Sequence, residues 1–110
     1  MRKMRHPAIE EVGLSQLLYA LSDPVRLDVV RRLAHGGEAT CSALDGGRPK
    51  SSMSHHFRVL REAGLVRTRT DGPSHMNDLR RDEIDRRFPG LLAAVLAAEP
   101  DLNDPTPSAT

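Results

Sequence analysis

Ser51, Ser54, His55, Arg58 and Glu62 fall on one side of the stretch Lys50–Ala63 when it is wound at 100° per residue. Met53, Phe57 and Leu60 fall on the other. The chemistry open to the polar side is hydrogen bonding. An arginine fork fits two acceptors on a guanine edge, serine hydroxyls bond base edges or phosphates, and a protonated imidazole pairs with phosphate. Lys50 and Ser52 stand at the start of the same stretch, where free backbone N–H groups attract phosphate. Farther on, Arg67 and Arg69, with His75 opposite, are candidate contacts to a nucleic-acid backbone. Lys50, Ser51, Ser52, Ser54, His55, Arg58, Arg67, Arg69 and His75 therefore form a candidate DNA-binding set. His56 lies nearer the apolar side than His55, and packing within the protein accounts for it as well as any contact does.

Exposed serines and arginines on a helix are most often merely solvated, so the elements that position them decide the matter. Ile9, Val12, Leu14, Leu17, Leu18 and Leu21 predict a helix over Ala8–Leu21. Asp23 is a good N-cap and Pro24 a good first helical residue. A helix over Val25–His35 follows, with Leu27, Val30 and Leu33/Ala34 inward, and Gly36-Gly37 stops it. Thr40 caps a short helix, Cys41–Asp45, and Gly46-Gly47-Arg48-Pro49 is a turn. After the helix Lys50–Ala63, ended by Gly64, Leu65–Thr70 and His75–Leu79 read as a β-hairpin across Asp71-Gly72-Pro73-Ser74. The last helical region, Asp82–Ala98, carries the apolar stripe Ile84, Phe88, Leu91, Leu92, Val95 and Leu96, and Pro89 must kink or divide it.

The order is helix, short helix, helix, hairpin. The fold class is therefore mainly α with a small β-hairpin, a winged helix-turn-helix whose third helix enters the major groove. Residues 1–7 read as a flexible N-terminal arm, 8–98 as the domain and 99–110 as a disordered tail rich in proline and polar residues. With 110 residues there is room for one modest core. The terminal helices carry more apolar side chains than that core can bury. A homodimer joined through the N- and C-terminal helices is expected, with a charge at Leu92 breaking it.

Residues 24–80 hold ten Lys/Arg against six Asp/Glu, about +4, and residues 81–110 hold three against six, about −3. A basic middle and an acidic end fit a nucleic-acid face kept apart from another surface. The start MRKMRHPAIEE has no apolar core of a signal peptide, and no run of 18 apolar residues exists. Double-stranded DNA and no membrane are the expected partners, in the cytoplasm.

The segments ALSDPVRLDVVRRLAHGGE and MSHHFRVLREAGLVRTRTDG resemble the ArsR (arsenic-repressor-like) family of bacterial transcriptional repressors over about residues 9–96. The resemblance implies a homodimer that binds an operator near a promoter and releases it on sensing a signal. It places the recognition helix at about Pro49–Arg61 and the wing at about Arg67–Leu79. Members that sense soft metals use a thiolate pair beside the short helix, and others use Asp, His and Glu on the last helix. Cys41 is the single cysteine here, and residues 82–98 offer Asp82, Glu83 and Asp85 without a histidine. His6 and His35 are the remaining residues that a shared site would have to recruit. No metal or cofactor is expected, and the effector, small-molecule or redox, is not identified. Cys41 is a candidate redox switch, because a helix start favours the thiolate; a small buried hydrophobe is the commoner fate of a lone cysteine. Pro49 stands where many relatives carry a hydroxyl residue.

Two other functions compete. A winged-helix protein-interaction module without DNA binding calls for an acidic or apolar recognition face, which Ser51, Ser54, His55 and Arg58 do not supply. An enzyme would need a third group beside Cys41 and the histidines, or a phosphate-cradling glycine loop, and the sequence has neither.

Overall fold

The computed structural model describes Met4–Ala98. Asp23 and Pro24 act as their types dictate. The Asp23 carboxylate accepts the N–H groups of Val25 at 2.8 Å and Arg26 at 3.1 Å, and Pro24 opens helix α2 (Pro24–Gly36). Gly37, at φ 79°, closes it by giving its N–H to the Leu33 carbonyl. Val29, Val30 and Leu33 are buried, while Leu27 and Ala34 are half-buried.

The predicted helix Ala8–Leu21 is broken. Ile9–Glu11 form one 3-10 turn, Val12 and Gly13 are extended, and α1 runs only over Leu14–Leu21. The break turns Val12 into the core beneath Gly64. Thr40 caps the four-residue helix α3 (Cys41–Leu44) by accepting the Ala43 N–H at 3.1 Å. Helix α4 (Lys50–Glu62) ends at Gly64, whose φ of 84° leads the chain into the sheet.

The sheet is antiparallel in the order β1-β3-β2, with β1 Ala39–Thr40, β2 Val66–Asp71 and β3 Ser74–Leu79. The hairpin is as expected, with Val66 opposite Leu79 and Thr68 opposite Asn77. The third strand is new: at two residues, β1 is too short to show alternation. Pro89 divides the last helical region into α5 (Arg81–Arg87) and α6 (Leu91–Ala97), and Gly90 restarts the chain in the left-handed conformation.

One core joins Leu17, Val29, Val30, Met53, Phe57, Leu60, Leu65, Val66, Ile84 and Leu92. The burial of Leu92, 0% exposed, corrects its reading as an interface residue: it completes the protomer's own core. Among the described residues, the large apolar side chains left outside are Leu14, Leu18 and Tyr19 of α1. Nor is the end of the expected flexible arm loose. Pro7 is buried, its carbonyl accepts from Arg80 Nη1 at 2.8 Å, and His6 Nε2 accepts the Thr68 N–H at 3.0 Å. Residues 1–3 of that arm, and the tail expected over 99–110, lie outside the described residues.

Candidate nucleic-acid interface

Met53, Phe57 and Leu60 seat α4, with at most 3% of each exposed. Lys50, Ser51, Ser52, Ser54, His55 and Arg58 all point outward and are exposed. The helix starts without a side-chain cap, as Pro49 in place of a hydroxyl residue dictates. The Ser52 hydroxyl donates to the Pro49 carbonyl and the Ser54 hydroxyl to the Lys50 carbonyl, both at 3.0 Å. Their oxygens are thereby left as acceptors, suited to the amino groups of base edges more than to phosphate oxygens.

Arg26, only 5% exposed, fixes the angle at which α4 is presented. Its Nε donates to the Ala20 carbonyl at 2.8 Å and its Nη2 to the Tyr19 carbonyl at 3.2 Å, satisfying the end of α1. Its Nη1 lies 3.2 Å from Nδ1 of His56 on α4. His56 is thus half-buried within the protein, and Asp23 Oδ2 stands 3.8 Å from the same nitrogen. Burial pushes the His56 imidazole below its ordinary range, against the pull of Asp23 and with the push of Arg26. The neutral ring can then accept from Arg26. Sequence reasoning left Arg26 out. The available signal was a cation in the first turn of a helix, where the helix dipole disfavours it and a specific partner must compensate.

The wing arginines are engaged inside the protein. Arg69 grips both oxygens of Glu38, each at 2.9 Å, and Arg67 Nη2 lies 2.9 Å from Glu83 Oε1. Glu83 also binds Arg80, at 2.8 and 3.2 Å. The hydrogen bond from Arg80, reinforced by Arg67, holds the Glu83 carboxyl down at about 2. About half of each wing arginine side chain remains exposed, 52% for Arg67 and 55% for Arg69. His75 stands opposite Thr70 and shares an open cleft of about 380 Å³ with Cys41, Lys50 and Ser54. The structure therefore gathers Lys50, Ser54 and His75, and holds Arg67 and Arg69 against acidic neighbours.

Cys41 is half-buried, and its Sγ accepts from Asn77 Nδ2 at 3.2 Å. Asn77 is fully buried; it also donates to the Ala39 carbonyl and accepts from the Thr68 hydroxyl at 2.7 Å. The thiol thus belongs to a polar network tying α3 to the sheet.

A family described as a helix-turn-helix domain matches residues 21–69, from the end of α1 into β2. The chain is 38% identical over 84 residues to the HTH-type transcriptional regulator YceK of Bacillus subtilis (strain 168), covering 74% of this chain and 84% of that one. It is 36% identical over 73 residues to the arsenical resistance operon repressor of Staphylococcus xylosus, covering 66% and 70%. The crystal structure of an ArsR family transcriptional regulator matches the fold with a TM-score of 0.62 at 26% identity, covering 74% of this chain and 90% of that one. Recognition helix, wing and these likenesses agree: the chain belongs to the ArsR-type family of winged helix-turn-helix transcriptional regulators.

Proposed function

We propose that this DNA-binding regulator is a cytoplasmic repressor that occupies its operator as a homodimer and leaves it on a signal. The carrying observation is the outward face of α4, where Ser51, Ser54, His55 and Arg58 are exposed above buried Met53, Phe57 and Leu60. A helix so seated enters the major groove, which is about 12 Å wide. The Lys50 ammonium and the first-turn backbone N–H of Ser52 meet phosphate at its start, and Arg58 takes a guanine. Arg67, Arg69 and His75 contact the flanking backbone, the two arginines after exchanging carboxylate for phosphate. Two such helices about 34–36 Å apart define a roughly palindromic site. Arsenical binding does not transfer from the Staphylococcus xylosus relative, because capture of a soft metalloid needs converging thiolates and the sequence has one cysteine.

The pairing of Arg67 with Glu83 and Arg69 with Glu38 favours a second reading, a protein-interaction module without DNA. Salt separates the two. Genomic fragments recovered by the purified protein are titrated by fluorescence anisotropy at several salt concentrations. A DNA binder loses affinity steeply as salt rises. Arg58→Ala is expected to weaken binding by roughly 1–3 kcal/mol and to relax preference at one position. A flat salt response favours the interaction module, and unchanged affinity and preference in Arg58→Ala remove that residue from base reading.

A further inference from the structure

The arm passes beside the recognition helix. Arg5 lines an open cleft of about 460 Å³ with Ser54, His55, Arg58, Arg61 and Glu62. Two contacts hold the chain there. His6 takes the Thr68 N–H of β2, the strand at the free edge of the sheet, and the Pro7 carbonyl takes Arg80. An outward N–H on an edge strand ordinarily faces water or another chain; here the arm covers it. The acceptor must be an unprotonated ring nitrogen. Burial, and then the charges of Arg61, Arg67 and Arg80, push the His6 imidazole below its ordinary range and keep Nε2 free to accept.

The cleft brings Arg5, Arg58 and Arg61 together with one carboxylate, Glu62. Among the described residues none of these three arginines forms an ion pair. The first seven residues, MRKMRHP, contain no carboxylate. Like charges so gathered repel in the free protein and attract a polyanion.

We propose that the N-terminal arm is a further DNA-contacting element, latched to the sheet edge by His6 so that Arg5 meets a phosphate beside the groove that α4 enters. This rests on α4 being the DNA-binding helix. Arg5 is the contact; His6 is a positioning residue.

The test uses the full chain, a duplex fragment recovered from genomic DNA by the protein itself, and a random-sequence duplex of equal length. Affinity is followed by anisotropy between about 50 and 200 mM salt, where each phosphate contact contributes about 0.9 to the log–log slope. Arg5→Ala is expected to lower the slope by about 0.9 per protomer and to weaken both duplexes about threefold to tenfold, leaving sequence preference intact. Its melting temperature stays at the wild-type value, because Arg5 is exposed. His6→Ala moves the slope in the same direction, His6→Gln restores it by keeping an acceptor, and the double variant is no weaker than Arg5→Ala. An unchanged slope in Arg5→Ala overturns the proposal. So does tighter binding, which would make the arm a shield over the recognition face. Wild-type protein that binds neither duplex takes down the reading of α4 and this proposal with it, whereas a binding wild type with an indifferent Arg5 removes the arm alone.

Discussion

Arg26 is buried, yet it controls where the recognition face stands. One guanidinium serves two carbonyls at the end of α1 and a ring nitrogen on α4, at 2.8, 3.2 and 3.2 Å. The planar fork matters, because three acceptors in three directions need donors fixed in one plane. A lysine places a single ammonium there and leaves at least one buried carbonyl unserved. Arg26→Lys is therefore expected to lower unfolding free energy by about 1–3 kcal/mol, read as a drop in the urea midpoint with an unchanged m-value. A midpoint equal to wild type would show that the fork is dispensable. Read as a sequence, Arg26 is one more charged residue in a helix rich in arginine. Its burial depends on the end of α1, six residues earlier in the chain, and on His56, thirty residues later. The ion pairs of Arg67 and Arg69, residues that the sequence does single out, were hidden for the same reason. Alternation places them on the exposed side of β2, but their carboxylate partners come from a loop before β1 and from α5.

At the scale of elements, what the sequence announces is what local chemistry determines. Asp23 and Pro24 start α2, Gly37 and Gly64 end α2 and α4, and Pro89 divides the last helix, each within a residue or two of its predicted place. The apolar spacing of Met53, Phe57 and Leu60 is likewise local, so the outward face of α4 was readable in advance. The missing strand and the broken first helix are non-local. Ala39–Thr40 becomes β1 only because β3 offers a free edge, and Val12 leaves the helical path only because the core has room for it beneath Gly64. That junction sets the angle between recognition helix and wing, and it is tightly constrained. Gly64 has φ 84°, and a Cβ there would overlap the Val12 side chain. Gly64→Ala combines left-handed strain of roughly 1 kcal/mol with that overlap, and it is expected to cost more than about 2 kcal/mol in thermal or urea unfolding. A loss below about 1 kcal/mol would mean that the junction relaxes freely.

At the scale of the whole molecule, the question is which apolar surface the protomer cannot hide. Sequence periodicity distributes it over both terminal helices, but folding divides them. Leu17 and Leu21 of α1 and Leu92 of α6 are consumed by the protomer's own core. Leu14 and Leu18, one turn apart on α1, stay 50% and 45% exposed, and Phe88, Leu91, Val95 and Leu96 are only partly covered. The proposed dimer therefore has its anchor on α1 and not at Leu92. Two substitutions with the same chemistry separate the roles. Leu92→Glu puts a charge into a fully enclosed site and is expected to abolish cooperative folding, because an unpaired buried carboxylate costs several kcal/mol. Leu18→Glu adds a charge at a position already open to solvent in the protomer, so its circular dichroism and unfolding midpoint, extrapolated to low concentration, should match wild type. Sedimentation should nonetheless show monomers. Operator affinity should fall steeply as well, because one recognition helix then binds a half-site without the second held in register. A Leu18→Glu protein that still sediments as a dimer would exclude this face of α1 from the interface.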